Sequence, residues 1–194
     1  MKVRFLLVIL FGCSLIFPIA VAAQRAAPAT QVGSAQASSP ELAKFFADYF
    51  EERLRDSPEF ATYVGRHEYD DRWSDLSKAG RDRRRAHLEQ ALATDENFFA
   101  RRASLSDQDR LSVELLRFDL HTTLDAFDIE TYLLRVGQMT GFHNGVYNVI
   151  DRMPAFTVKD CENIIARLRA VPAYVDQNLE ILNEAIARGW TQPK

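Results

Sequence analysis

Cysteine is nearly missing from this sequence: there are two, Cys13 and Cys161, and only the second lies outside an apolar leader. A disulfide-stapled fold is thereby excluded, and packing must hold the chain together. Glycine and proline are sparse too, at eight and seven of 194 residues, which rules out collagen-like and low-complexity architectures. Neither sign of charge dominates, with 24 Lys+Arg against 27 Asp+Glu, so the chain carries no electrostatic footprint for nucleic acid. Beyond the leader no apolar run approaches the ~20 residues of a membrane-spanning helix, and no stable membrane anchor is expected. Walker loops, Gly-x-Ser-x-Gly elbows and dinucleotide fingerprints are absent as well. What is present is a 47% hydrophobic, 11% aromatic composition, enough for a real core in one domain.

The leader is distinct from that domain. Lys2 and Arg4 precede an apolar run from Phe5 to Ile19, and Ala20-Val21-Ala22 reads as a small-x-small cleavage site. Residues 1–22 are therefore expected to be a signal peptide, and the protein to be exported to the periplasm or outside the cell. A competing reading takes Leu10 to Cys13 as a lipobox, but Phe11 is too large for its place and the apolar run continues past the cysteine. Cleavage would remove two positive charges and shift the formal net charge from −3 to about −5. Residues 23–39 contain one larger aliphatic side chain, Val32, and read as a disordered linker.

From Pro40 onward the pattern is helical. Ser39-Pro40-Glu41 and Ser57-Pro58-Glu59 both carry the start signal of a capping residue, a first-turn proline and an acidic group at the positive end of the dipole. Phe45, Phe46, Tyr49, Phe50 and Leu54 follow the first at helical spacing, and Gly65 stops the second. Residues 66–76 read as an ordered loop. Ser77 and Ser106 should cap two long helices, the second with one apolar stripe through Leu111, Leu115 and Phe118 and another through Val113, Leu116, Leu120, Leu124 and Phe127, as though buried between neighbours. Thr157 with Asp160 announces another helix, Pro172 interrupts it, and Gly189 ends the last. The expected fold is all-α, a bundle of about seven helices over residues 40–194.

Few residues invite chemistry. His67-Glu68 begins like a zinc-peptidase helix, but the second histidine is replaced by Asp71 and the pair falls in a loop. Arg81 to Arg85 reads as a solvated helix face with an Arg85–Glu89 pair, which makes Arg84 a surface residue. Cys161 lacks ligand spacing and reads as an inert buried thiol. In the loop expected at 137–145, bracketed by Gly137, Gly141 and Gly145, Gln138, His143 and Asn144 offer hydrogen bonds and Phe142 an apolar contact. These four are the candidate substrate-cleft residues; a tight interhelical connection is the alternative. Tyr69, Asp70 and Arg72 form either a recognition surface or an internally paired loop, with Arg72 between carboxylates. No catalytic residue and no metal ligand is assigned.

Pro58 to Gly65, Tyr69 to Arg72, Asp75 to Ser77, Leu115 to Leu120, Gln138 to Gly141 and Arg167 to Gln177, taken in this order, resemble the bacterial secreted family catalogued as domain of unknown function 885. The resemblance implies kinship with helical zinc-dependent peptidases and carboxypeptidases that have a long cleft between helical halves. Their metal motif, a His-Glu pair followed by Pro-Gly-His, is implied to lie downstream of the matched region. No residue of this chain matches it, so no catalytic role and no cofactor are carried over, and zinc is implied only for full-length relatives. The expectation is a non-catalytic N-terminal helical segment forming a cleft wall, with the C-terminal portion of the family domain and a peptide substrate as partners. The alternative is a free-standing exported binding or scaffold module.

Overall fold

The computed structural model describes residues 39–137 and 141–190. The chain divides into two units, 1–35 and 36–194, and the described residues fall in the second. The expected signal peptide and all of the linker except Ser39 lie outside the described residues, as does Gln138. Seven α-helices follow in order: α1 (Pro40–Asp56), α2 (Pro58–Tyr63), α3 (Lys78–Ala100), α4 (Asp107–Asp128), α5 (Phe142–Asp151), α6 (Val158–Arg169) and α7 (Val171–Ala187). Two single 3-10 turns, Arg102–Ser104 and Thr131–Leu133, complete the set. Among the described residues there is no strand, only an isolated bridge between Val136 and Gly141.

The helix ends follow the sequence chemistry. Ser77 Oγ accepts from the Gly80 amide and Ser106 Oγ from that of Asp109, each at 3.1 Å. Thr157 and Asp160 form a reciprocal capping box, and the backbone amide of Thr157 holds the Asp160 carboxyl below its ordinary range. Gly65 and Gly189 sit at φ of 78° and 77°, the left-handed region that favours glycine. There the amides of Arg66 and Trp190 reach back to the carbonyls of Ala61 and Ala185 at 2.8 and 2.9 Å, closing α2 and α7.

Two apolar clusters form the core. Leu42, Phe98 and Val113 knit α1, α3 and α4 together with Phe45, Phe46, Phe99 and Leu105 packed around them. Leu76, Leu133, Ile181 and Ala185 join the 66–76 loop and the second 3-10 turn to α7. The start of α3 lies so close to the loop that a Cβ on Gly80 would overlap the Asp75 carbonyl oxygen.

Four expectations need correction. Helix α4 is buried along Val113 and Leu120, but its other stripe faces outward, with Phe118 72% exposed. Residues 142–145 are not loop: α5 begins at Phe142, because Phe142, Val146, Val149 and Ile150 recur at helical spacing and outweigh the cost of Gly145. Cys161 is exposed on α6. The arginine run is not a uniform solvated face: Arg85 meets Glu89 at 2.8 Å as expected, but Arg81 and Arg84 turn back onto the carbonyls of Leu76 and Asp75 at 2.8 and 2.7 Å.

Candidate functional site

The 66–76 loop is organised around a guanidinium. Arg167, on α6, is completely buried, a location that costs several kcal/mol unless every donor is satisfied. Its Nε donates to the Arg72 carbonyl at 2.9 Å, Nη2 to that of Tyr69 at 3.0 Å, and Nη1 to Thr62 Oγ1 at 2.7 Å. The buried Asp70 carboxylate lies 3.5 Å from Nη1 and accepts from Thr62 Oγ1 at 2.6 Å. Burial depresses the pKa of Arg167, and Asp70 opposes that shift. Trp73 lies across the guanidinium with its ring centroid 5.3 Å from Cζ, donates its indole N–H to the Arg167 carbonyl at 2.9 Å and stacks on Tyr174 at 4.8 Å. A loop without regular structure thus acquires a fixed conformation.

That fixed loop forms one side of a groove of about 260 Å³, lined by Ser57, Glu59 and Tyr63 at the start of and along α2, Trp73, Ser74 and Leu76 from the loop, Arg135, Gly145 and Val149, and Tyr174. Glu59 holds the loop edge by accepting from the Ser74 amide at 3.1 Å and from its hydroxyl. Across the groove Arg135 Nε donates to Asn178 Oδ1 at 2.9 Å, and Asn178 in turn donates to the Tyr174 carbonyl. Tyr63 is about half exposed, with the Arg152 guanidinium 4.9 Å from its ring centroid. Burial raises the pKa of the Tyr174 phenol and Glu59 adds to the shift, while Arg135 and Asn178 oppose it. The groove thus presents a carboxylate, a guanidinium, hydroxyls and aromatic faces, a set suited to hydrogen bonding and stacking against a polar chain.

The sequence candidates are distributed unevenly around it. Phe142, half-buried, and His143 and Asn144, both exposed, occupy the first turn of α5; none of the three lines the groove, whereas Gly145 beside them does. The Phe142 and His143 rings meet edge to face at 6.2 Å. Gln138 lies outside the described residues. In the loop, Asp70 is interior and Tyr69 contributes its carbonyl to Arg167. Arg72 does not sit between carboxylates: it grips Asp71 alone, at 2.7 and 3.2 Å, which lowers the Asp71 pKa.

The His67-Glu68 pair is occupied elsewhere, His67 Nδ1 with Asp70 at 2.8 Å and Glu68 with Arg66 at 2.9 Å. Among the described residues no three His, Cys, Asp or Glu side chains converge to hold a metal ion, and no helix is long and apolar enough to cross a membrane.

Sequence reasoning missed Arg167, Glu59, Arg135 and Tyr174 as a functional group. The available signal was spacing: Asn163, Arg167, Asn178, Ile181 and Ala185 are the buried positions of α6 and α7, so the two helices turn a polar seam inward. Residues 58–194 match the model of a family described as "Bacterial protein of unknown function (DUF885)". A comparison with curated proteins finds no match.

Proposed function

The chain belongs to the DUF885 family, and on that premise we propose that its helices form one wall of a peptide-binding cleft in an exported, zinc-peptidase-like protein, without themselves supplying the catalytic groups. The observation that carries this reading is the groove. Glu59, Tyr63, Leu76 and Tyr174, from stretches far apart in sequence, line it together with Arg135 and Gly145. An extended peptide demands backbone donors and acceptors along its length and apolar surfaces between them; Arg135, Glu59 and Ser74 meet the first demand, and the Tyr63 and Trp73 rings the second. His143 and Asn144, exposed on the adjoining turn of α5, would meet a chain that runs on past Gly145. The described residues contain no donor set that fits zinc.

The test is fluorescence anisotropy with a library of labelled unstructured peptides. Binding should weaken at least about fivefold in Arg135→Ala and Tyr63→Ala, roughly 1 kcal/mol, and remain unchanged in Leu115→Ala. Absence of any peptide binding, or equal loss in all three variants, sinks the reading. A second reading, a free-standing exported binding or scaffold module, is favoured by one observation: Leu111, Leu115 and Phe118 are 50%, 59% and 72% exposed along α4, a surface suited to a protein partner.

A further inference from the structure

A second cavity, of about 240 Å³, opens between the second half of α1, the first half of α3 and the second half of α4. Its apolar walls are Tyr49, Leu88 and Phe127. Burial raises the pKa of the Tyr49 phenol, with Arg53 opposing. Of its charged groups, Arg53 and Asp119 meet each other at 3.2 Å, and His87 stands between two carboxylates. His87 points Nδ1 at Asp56, at 2.8 Å, and Nε2 at Glu52, at 3.4 Å. The Asp56 contact is the closer of the two, and the 3.4 Å approach of His87 is the one ion-pair contact of Glu52 among the described residues, which leaves that carboxylate with lone pairs to spare. Arg84, lining the same cavity, donates Nη1 to the Asp75 carbonyl at 2.7 Å, and its Nε and Nη2 have no hydrogen-bonding partner among the described residues. Burial lowers its pKa, with Asp56 the first of the groups opposing that shift.

One small apolar-walled cavity therefore holds an underused carboxylate and an underused guanidinium. We propose that it binds a zwitterionic α-amino acid with an apolar side chain, the ammonium on Glu52, the carboxylate on Arg84 and the side chain against Tyr49 and Phe127. A simple amine would bring its charge beside Arg84 with nothing to offer it, and a simple carboxylic acid would face Glu52 and Asp56. The zwitterion answers both groups at once. The cavity lies below the roughly 300–1,000 Å³ of sites for drug-sized ligands, a size that admits one amino acid. This inference does not rest on the peptide groove.

Isothermal titration of the whole chain with L-leucine, isoamylamine and 4-methylpentanoate separates the cases. Leucine should bind with a Kd of about 1 mM or lower, and each analogue, lacking one charge, at least about tenfold more weakly. Glu52→Gln, a half-exposed position whose change leaves the fold intact, should weaken leucine about tenfold with an unchanged thermal midpoint, and Arg85→Gln, outside the cavity, should not weaken it. Isoamylamine or 4-methylpentanoate binding as well as leucine, no binding of leucine, or indifference of leucine to Glu52→Gln would each overturn the proposal.

Discussion

Two regions of this molecule bury charge, and they do so on opposite terms. Around the 66–76 loop, Arg167 and Asp70 are sealed from water with hydrogen bonds on all sides. Between α3 and α4, Asp95 is equally sealed, yet neither carboxylate oxygen has a hydrogen-bond partner, and Nη1 of Arg117 is likewise unpartnered. Arg117 instead directs Nη2 to Glu96 at 2.8 Å and lies over the Phe99 ring, with Cζ 4.0 Å from the centroid. The difference is one of backbone supply. An irregular loop has spare carbonyls, which Arg72 and Tyr69 give to Arg167, whereas paired helices consume their amides and carbonyls internally and leave a buried side chain to find other side chains.

Breaking the satisfied region should cost most. Arg167→Met is expected to lose about 3–5 kcal/mol in urea unfolding, because the buried Asp70 carboxylate loses its guanidinium and the Tyr69 and Arg72 carbonyls lose their donors; Arg167→Lys should not restore it, since an ammonium cannot span three separate acceptors in that plane. Retention of wild-type stability in either variant would remove the network from its central place. Gly80→Ala should cost about 1–3 kcal/mol through overpacking against the Asp75 carbonyl, and Gly80→Ser no less; a silent result would mean that α3 can slide off the loop.

In the unsatisfied region the sign reverses. Burial, the dominant cause, raises the Asp95 pKa from 3.8 to about 6, with Arg117 opposing. The folded chain then binds more protons than the unfolded one between those values, so stability falls as pH rises through that window and stays lower above it. Asp95→Asn should gain about 2 kcal/mol at pH 7 and remove that decline from a series of unfolding midpoints. A variant less stable than the parent at pH 7 would mean that Asp95 has a stabilising partner. Smallest of all, Phe118→Ser on the outer stripe of α4 should stay within about 0.5 kcal/mol; a larger loss in the isolated monomer would place that stripe against something.

The sequence made the helices legible through their ends, because Ser77, Ser106, Thr157, Pro58, Gly65 and Gly189 act locally and need no tertiary context. It misjudged faces. Leu111 and Val113 carry the same apolar signal, and only the number of neighbours available to α4 separates the exposed stripe from the buried one. Arg167 and Arg84 were hidden for the converse reason: arginine on a helix reads as solvated, and it takes the loop carbonyls brought in by folding to draw each inward. The candidate site was half visible. Gly145 and the 66–76 loop were flagged, but Arg135, Glu59 and Tyr174 converge only after α2, α5 and α7 have packed, and no spacing within one helix reports that.

Trp73 gives the molecule its own optical gauge. The chain has two tryptophans: one donates its indole N–H to the Arg167 carbonyl and stacks on Tyr174, and the other, Trp190, sits partly exposed just beyond α7. The first is held in an asymmetric, water-poor setting, so it should emit at short wavelength and dominate the near-ultraviolet circular dichroism; the second, in partial contact with water, should emit at longer wavelength. Loss of the near-ultraviolet band therefore times the melting of the arginine-centred loop, while the long-wavelength emission follows the end of α7, so one unlabelled sample reports whether the two unravel together or in sequence.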